Sequence, residues 1–203
     1  MTTTQEVPTL LVVVPVAAVT LGLMTGLLHR RAGVTVPRLA VAVVAAVYVA
    51  GIVANTLLPF RLGATGPSPS WTVFLDLVPL ADVEQGDVLQ NVVVFLPLGW
   101  LLALVLRVDS AVRVVLGGLL LSLAMEAVQL GNAVTGHGGH VADVDDLWAN
   151  TVGGALGYGL FRLVVLVPPV GRLAAAATWP ALGRERRLTA RRARRASADA
   201  RRW

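Results

Sequence analysis

Five stretches of this sequence are long and apolar enough, or nearly so, to cross a lipid bilayer, and they constrain the fold more than any other feature. A bilayer core needs about 20 mostly apolar residues per helix. Only 14% of the residues are charged, whereas a soluble domain has about one quarter. We therefore predict an all-α, polytopic membrane protein. The predicted spans cover about Val7–Leu28, Leu39–Phe60, Val92–Leu106, Val112–Leu130 and Leu147–Val167.

Prolines and flanking charges help to delimit these stretches. The third stretch is the shortest, and Pro97 is expected to kink it because proline removes a backbone N–H donor. Pro168 and Pro169 are expected to end the fifth. The first has no basic leading segment and carries Glu6, so we interpret it as a retained helix and not as a cleaved signal peptide.

The arginines are distributed unevenly between the two sides that five spans would separate. All 17 basic residues are arginines, and with the N-terminus outside, every one except Arg61 falls in a cytoplasmic segment. Most acidic residues then fall outside. Because cytoplasmic loops of membrane proteins are rich in Arg and Lys, we predict that the N-terminus lies outside and the C-terminus in the cytoplasm.

The sequence divides into three regions. Residues 1–38 form an N-terminal transmembrane helix and a cytoplasmic turn, residues 39–168 a helical membrane domain, and residues 169–203 an Arg-rich cytoplasmic tail. The tail is too charged to fold alone and is expected to lie against anionic lipid. We thus expect membrane lipids, and no nucleic acid, as partners despite the formal charge of +5. The absence of cysteine excludes thiol nucleophiles and disulfides. The sequence leaves the oligomeric state open.

Three polar residues interrupt the fourth span. Ser122, Glu126 and Gln129 are spaced by four and three residues, which puts them on one helical face. Glu126 is expected about 7 Å below the outer end, at about 1.5 Å per residue. Ionisable groups at such a depth are costly and count as functional candidates.

The entry to the fifth span carries a row of acidic and amide residues. Asp143, Asp146 and Asn150 follow steps of three and four and share a face, whereas Asp145 is expected to point elsewhere into solvent. An aspartate at a helix start can also act as a cap or interact with the helix dipole. Capping explains one or two of these aspartates, and three exceed that need.

Small residues follow on the same helix. Gly153 and Gly157 form a small-xxx-small pair, and Gly154 widens the groove. Such a pair allows a second helix to approach closely. We predict that the fifth span packs against another span along this groove.

The polar candidates all belong to one end of the predicted bundle, at the outer leaflet, while the inner half is almost entirely apolar. The alternative interpretation is that they are hydrogen-bonding partners between helices. The candidate binding residues are Asn55, Arg61, Asn91, Glu126, Gln129, His140, Asp143, Asp146 and Asn150.

The sequence favours neither a metal nor a cofactor. His137 and His140 lie near the aspartates, but they lack a recognised zinc spacing and are separated by glycines. Nucleophile elbows, phosphate-binding glycine loops and H-E-x-x-H pairs are absent from the sequence. No metal site and no cofactor are expected.

Three segments in order resemble the VanZ-like family of bacterial membrane proteins. They are "NVVVFLPLGWLLALVL" (91–106), "MEAVQL" (125–130) and "DVDDLWANTVGGALGY" (143–158), and the resemblance covers about residues 39–163. It implies a multi-pass protein of the bacterial plasma membrane. The positions that match the family pattern are Asn91, Phe95, Pro97, Gly99, Glu126, Gln129, Asp143, Asp146, Asn150 and Gly153.

The resemblance also implies a context of low-level teicoplanin resistance, without naming a reaction. One position departs from the pattern, because His140 stands where the family usually has arginine. If that arginine contacts an anion, this chain would need a protonated His140 or Arg61 instead.

Three functional hypotheses follow. The first is a module without catalytic activity that binds a lipid, a cell-wall precursor or a glycopeptide at the outer leaflet. The second is a membrane enzyme acting on a lipid or cell-wall intermediate through Glu126 and Asp146. The third is a structural helical bundle that binds no ligand.

Overall fold

The structure is a computed structural model, and it describes residues 5–31, 33–63, 70–79, 85–138 and 140–180. Over these residues the chain is a helical bundle with four very short strands. The helices are α1 (Thr9–Arg30), α2 (Val36–Leu57), α3 (Gln85–Val105), α4 (Ala111–Val134), α5 (Val144–Val164) and α6 (Pro168–Ala177). The strands are β1 (Gln5–Glu6), β2 (Arg61–Leu62), β3 (Leu75–Asp76) and β4 (Ala142–Asp143).

The predicted all-α membrane architecture is confirmed. Four helices, α1 to α4, are each long and apolar enough to cross a membrane, and α5 with α6 counts as a fifth span if that bent pair is taken together. The two helices of the pair meet at 119°. Which side of the membrane holds each terminus stays a prediction.

The helix boundaries differ from the predicted ones at the polar ends. α3 begins at Gln85, seven residues before the predicted start at Val92, since its first two turns are polar and hydropathy alone does not detect them. α5 ends at Val164, and Pro168 begins α6 at a position where proline costs no hydrogen bond. The prolines therefore start a new helix after ending the fifth.

α3 and α5 pack with their backbones in contact, as the glycine spacing predicted. A Cβ added to Gly153 would overlap the carbonyl oxygen of Val92, and one added to Gly157 would overlap that of Leu96. On α3, a Cβ added to Gly99 would overlap the α5 backbone. Gly154 is looser, because a Cβ there would only touch the Leu98 side chain at 3.7 Å.

The interior is formed by α2, α3 and α4. Ile52, Phe95, Leu98 and Met125 make one buried apolar cluster. Many large apolar side chains elsewhere on the helices are exposed. Such an outward-facing apolar surface is what a lipid bilayer requires of a spanning helix.

The chain segment after α6 returns to the bundle at the end opposite the polar residues. Trp179 is buried against Leu28 and Ala42, and its backbone N–H donates to Leu104 O at 2.8 Å. Arg38 Nε donates to Thr178 O at 2.8 Å. The start of the predicted tail is thus ordered as α6 and a docked tryptophan, while residues 181–203, with most of the tail arginines, lie outside the described residues.

Candidate functional site

Four helix ends surround a polar cavity of about 350 Å³. α2 and α4 end there, while α3 and α5 begin there, so residues far apart in sequence meet at one end of the bundle. The described lining residues are Asn55, Asp87, Val88, Gln90, Asn91, Gln129, His140, Val141, Asp143, Asp145 and Asp146.

The start of α5 is held by a cap that also links it to α4. Asp143 is the N-cap residue, and its Oδ1 accepts from the backbone N–H of Asp145 at 2.8 Å. The backbone N–H of Asp143 itself donates to Glu126 Oε2 at 3.0 Å. Part of the aspartate row therefore does serve as a cap, as the alternative interpretation held.

Glu126 lies beside the polar cavity instead of on its described lining. Its side chain is buried, and it lines a smaller cavity of about 110 Å³ together with Asp76, Asp143 and apolar residues of β3 and α5. Asp143 lines both cavities, whereas Asp146 lines only the larger of these two. The two carboxylates of the enzyme hypothesis thus border different spaces.

Asp146 and Asn91 join α5 to α3 within the larger cavity. Asn91 Nδ2 donates to Asp146 Oδ1 in a short hydrogen bond. Both residues were candidates from sequence, and the structure brings them into direct contact. One amide donor is therefore already committed to one carboxylate oxygen.

Asn150 lies deeper and takes no part in the described lining. Its Nδ2 donates to Ser122 Oγ at 2.9 Å, and both side chains are buried between α4 and α5. The Oδ1 of Asn150 is buried without a hydrogen-bond partner. This pair matches the predicted alternative of a hydrogen bond between helices.

Gln129 is a candidate residue whose side chain lies in the cavity wall without a hydrogen-bond partner among the described residues. Its residue surface is only 7% exposed, and its side chain lines the cavity. No hydrogen bond joins its amide to any residue that the structure describes. Its amide faces the cavity, so a molecule bound there could donate a hydrogen bond to its oxygen or accept one from its nitrogen.

The structure does not bring Arg61 into the cavity. Its Nε forms an exposed ion pair with Glu6 Oε1 at 3.3 Å, because β1 pairs with β2 in antiparallel register. Its backbone N–H donates to His137 O at 2.8 Å. Arg61 is thus next to the site through its backbone, and its positive charge is neutralised by Glu6.

Three polar lining residues were not among the sequence candidates: Asp87, Gln90 and Asp145. Asp87 precedes Asn91 by four residues, a spacing that puts the two on one face once the first turns of α3 are recognised as helical. Asp145 was expected to point into solvent. It lines the cavity because the cavity lies over the first turn of α5, where side chains on several faces reach the same space.

The electrostatics of the cavity are one-sided. Four aspartates line it, and among its described lining residues there is no arginine to balance them. Within the described part of the chain, no group of three or more His, Cys, Asp or Glu side chains is arranged to hold a metal ion. The carboxylates are spread around the space and do not converge on one point.

These observations define a multi-pass helical membrane protein with an acidic cavity at one end of the bundle. The VanZ/LLP1 family model matches residues 43–165, more than half of the chain. The chain belongs to the VanZ/LLP1 family, which confirms the resemblance noted from the sequence. The match runs from α2 to the end of α5 and includes every described lining residue of the cavity.

Neither the comparison with curated proteins nor that with solved structures gives a match.

Proposed function

We propose that this VanZ/LLP1 protein binds a lipid, a lipid-linked cell-wall precursor or a glycopeptide in the acidic cavity, at the outer leaflet of the bacterial plasma membrane, and thereby contributes to teicoplanin-type resistance. The observation that carries the proposal is the Gln129 side chain, which lies in the wall of the cavity and makes no hydrogen bond to the described residues. Most buried polar groups in folded proteins are paired, and an unpaired amide that borders a cavity is available to a ligand.

The orientation of the cavity follows from the arginine distribution. The cavity lies at the end of the bundle where α1 begins, and the chain's arginines other than Arg61 belong to the opposite side or the tail. By the positive-inside rule, the cavity end faces outward. A ligand at the outer surface or in the outer leaflet would then reach it without crossing the membrane.

Binding without catalysis has more support than catalysis by Glu126 and Asp146. A pair of carboxylates that shares acid and base roles must reach the same reacting group. Here the two residues line separate cavities, and Glu126 is held by the Asp143 backbone N–H. A purely structural bundle accounts for Asn150 and Ser122 but leaves Gln129 without a role.

Resistance assays of paired variants test the proposal. Gln129→Leu and Asp146→Asn should each lower the inhibitory concentration of teicoplanin to that of cells lacking the protein, with normal amounts of protein in the membrane. Asp109→Asn is the matched control, because Asp109 is exposed beside Arg113 at the other end of the bundle. Full resistance in both cavity variants would refute the proposed role.

A further inference from the structure

The acidic lining of the cavity restricts the chemistry of its ligand. Asp87, Asp143, Asp145 and Asp146 present carboxylates to one space of about 350 Å³. Arg61, whose backbone N–H donates to His137 O, is paired with Glu6. A phosphate or carboxylate entering this space would meet like charges, which repel more strongly where water is excluded.

The hydrogen-bonding groups of the cavity favour a donor over an acceptor. Ionised carboxylates only accept hydrogen bonds, and a primary ammonium group donates three. The unpartnered amide of Gln129 supplies a further acceptor oxygen inside the cavity. These acceptors come from three different helices and the loop before α5, so an ammonium group meets an acceptor on each side of the cavity that these elements form.

The surroundings of the cavity match a lipid. Leu89 lies between two lining residues on α3, and Trp148 follows the lining residue Asp146 by two positions on α5; each is 63% exposed. The site therefore combines a polar space at the helix ends with apolar side chains facing outward beside it. A lipid headgroup occupies this kind of boundary, with its acyl chains along the helices.

We propose that the cavity takes the primary ammonium group of a zwitterionic lipid headgroup. This inference rests on the proposed function, because it names the chemistry of the ligand for the same site. In this arrangement the headgroup phosphate stays outside the cavity, and the ammonium group enters it. A divalent cation is the competing occupant, and the dispersed carboxylates are poorly arranged for it.

Lipid titrations of the full chain in detergent, followed by native mass spectrometry, test this inference. Phosphatidylethanolamine should bind about tenfold more tightly than its N-acetylated form with the same acyl chains, the ratio expected from losing one charge-assisted hydrogen bond. Phosphatidylglycerol should bind as weakly as the N-acetylated lipid. Equal or tighter binding of either of these lipids would overturn the inference.

Variants locate the preference in the cavity. Asp87→Asn and Asp146→Asn should bring the ratio between the two amine forms close to one, and Asp109→Asn should leave it unchanged. Asp87 is exposed, so its replacement does not disturb the packing of the bundle. An equal loss of preference in Asp109→Asn would overturn the assignment to this cavity.

Competition experiments with free ethanolamine and with divalent cations distinguish a lipid ammonium group from other cations. Free ethanolamine should displace phosphatidylethanolamine only at far higher concentrations, and displacement by it at equal concentration would point to a soluble amine instead of a lipid. Displacement by Ca²⁺ or Mg²⁺ with no effect of N-acetylation would point to a metal ion. Either result would overturn the assignment of a lipid ammonium group.

Gln129→Leu separates this inference from the proposed function. If all lipids bind equally and Gln129→Leu weakens them all, the cavity binds a ligand and the ammonium inference alone fails. If Gln129→Leu changes neither lipid binding nor resistance, the proposed function fails as well.

Discussion

The two ends of this bundle differ in whether side chains fill the space between the helices. At one end Trp179 fills the space between α1 and α2, and Arg38 donates to a carbonyl of the returning segment. At the other end four helices leave a cavity lined by carboxylates and amides. Trp179 Nε1 also lacks a partner, but it is buried among protein atoms, whereas Gln129 borders an open space.

Side chains close one end, whereas at the other end the described residues leave an open space in which the proposed ligand would bind. An unsatisfied buried group costs stability wherever it lies. At the closed end the Trp179 Nε1 group is enclosed by the protein, whereas at the open end the Gln129 amide faces the cavity, where a bound molecule could pair with it. Function is therefore expected at the open end.

Replacing Trp179 at the closed end should cause the largest loss of stability. Trp179→Ala should lower the free energy of unfolding by about 3–5 kcal/mol, since Trp179 is only 1% exposed and its removal leaves a large void. Thermal unfolding of the purified protein measures the loss. Trp148→Ala is the matched control, because Trp148 is largely exposed and its replacement should cost less than about 0.5 kcal/mol. Similar losses in both variants would contradict the packing assigned to Trp179.

Separating α3 from α5 should lower both the stability of the bundle and its lipid binding. Gly157→Ala should cost about 1–3 kcal/mol, because its Cβ would overlap the backbone of Leu96 and the helices must move apart. Unfolding temperature and lipid binding should both fall. Gly159→Ala on the same helix meets nothing within 4 Å and should be neutral or slightly stabilising. Equal stability of the two variants would show that the helices do not touch as described.

Breaking the exposed ion pair should have the smallest effect. Arg61→Gln should change the free energy of unfolding by less than about 0.5 kcal/mol, because both partners are largely solvent-exposed and screened. Lipid binding and resistance should stay at the level of the unsubstituted protein, since the Arg61 side chain is outside the cavity lining. A strong loss of lipid binding would show that Arg61 belongs to the binding site, as the sequence analysis predicted.

Local spacing predicted the features that depend on one helix. The close packing at Gly153 and Gly157 follows from helical periodicity, which the structure repeats. Asp143 and Asp146 line one cavity as expected, although Asp143 is the extended N-cap residue and not part of the helix. Long apolar runs likewise predicted α1, α2 and α4 with small errors at their ends.

Contacts between residues far apart in the chain could not be predicted from the sequence. Nothing local indicates that Glu6 would pair with Arg61, because α1 and α2 separate β1 from β2 in the sequence. The docking of Trp179 is of the same kind, since its neighbours Leu28 and Ala42 come from the start of the chain. Asp145 was misjudged for a different reason, as the rules for a helical face do not hold at a first turn open to a cavity.

The most direct test of the central claim uses the absence of native cysteine. Asn55→Cys places one thiol in the cavity lining, and Asp109→Cys places one at the opposite end. In intact cells, a membrane-impermeant maleimide should label Cys at position 55, and phosphatidylethanolamine should slow that labelling in detergent. It should label position 109 only after the cells are opened. Labelling of position 109 but not of position 55 in intact cells would contradict an outward-facing ligand cavity.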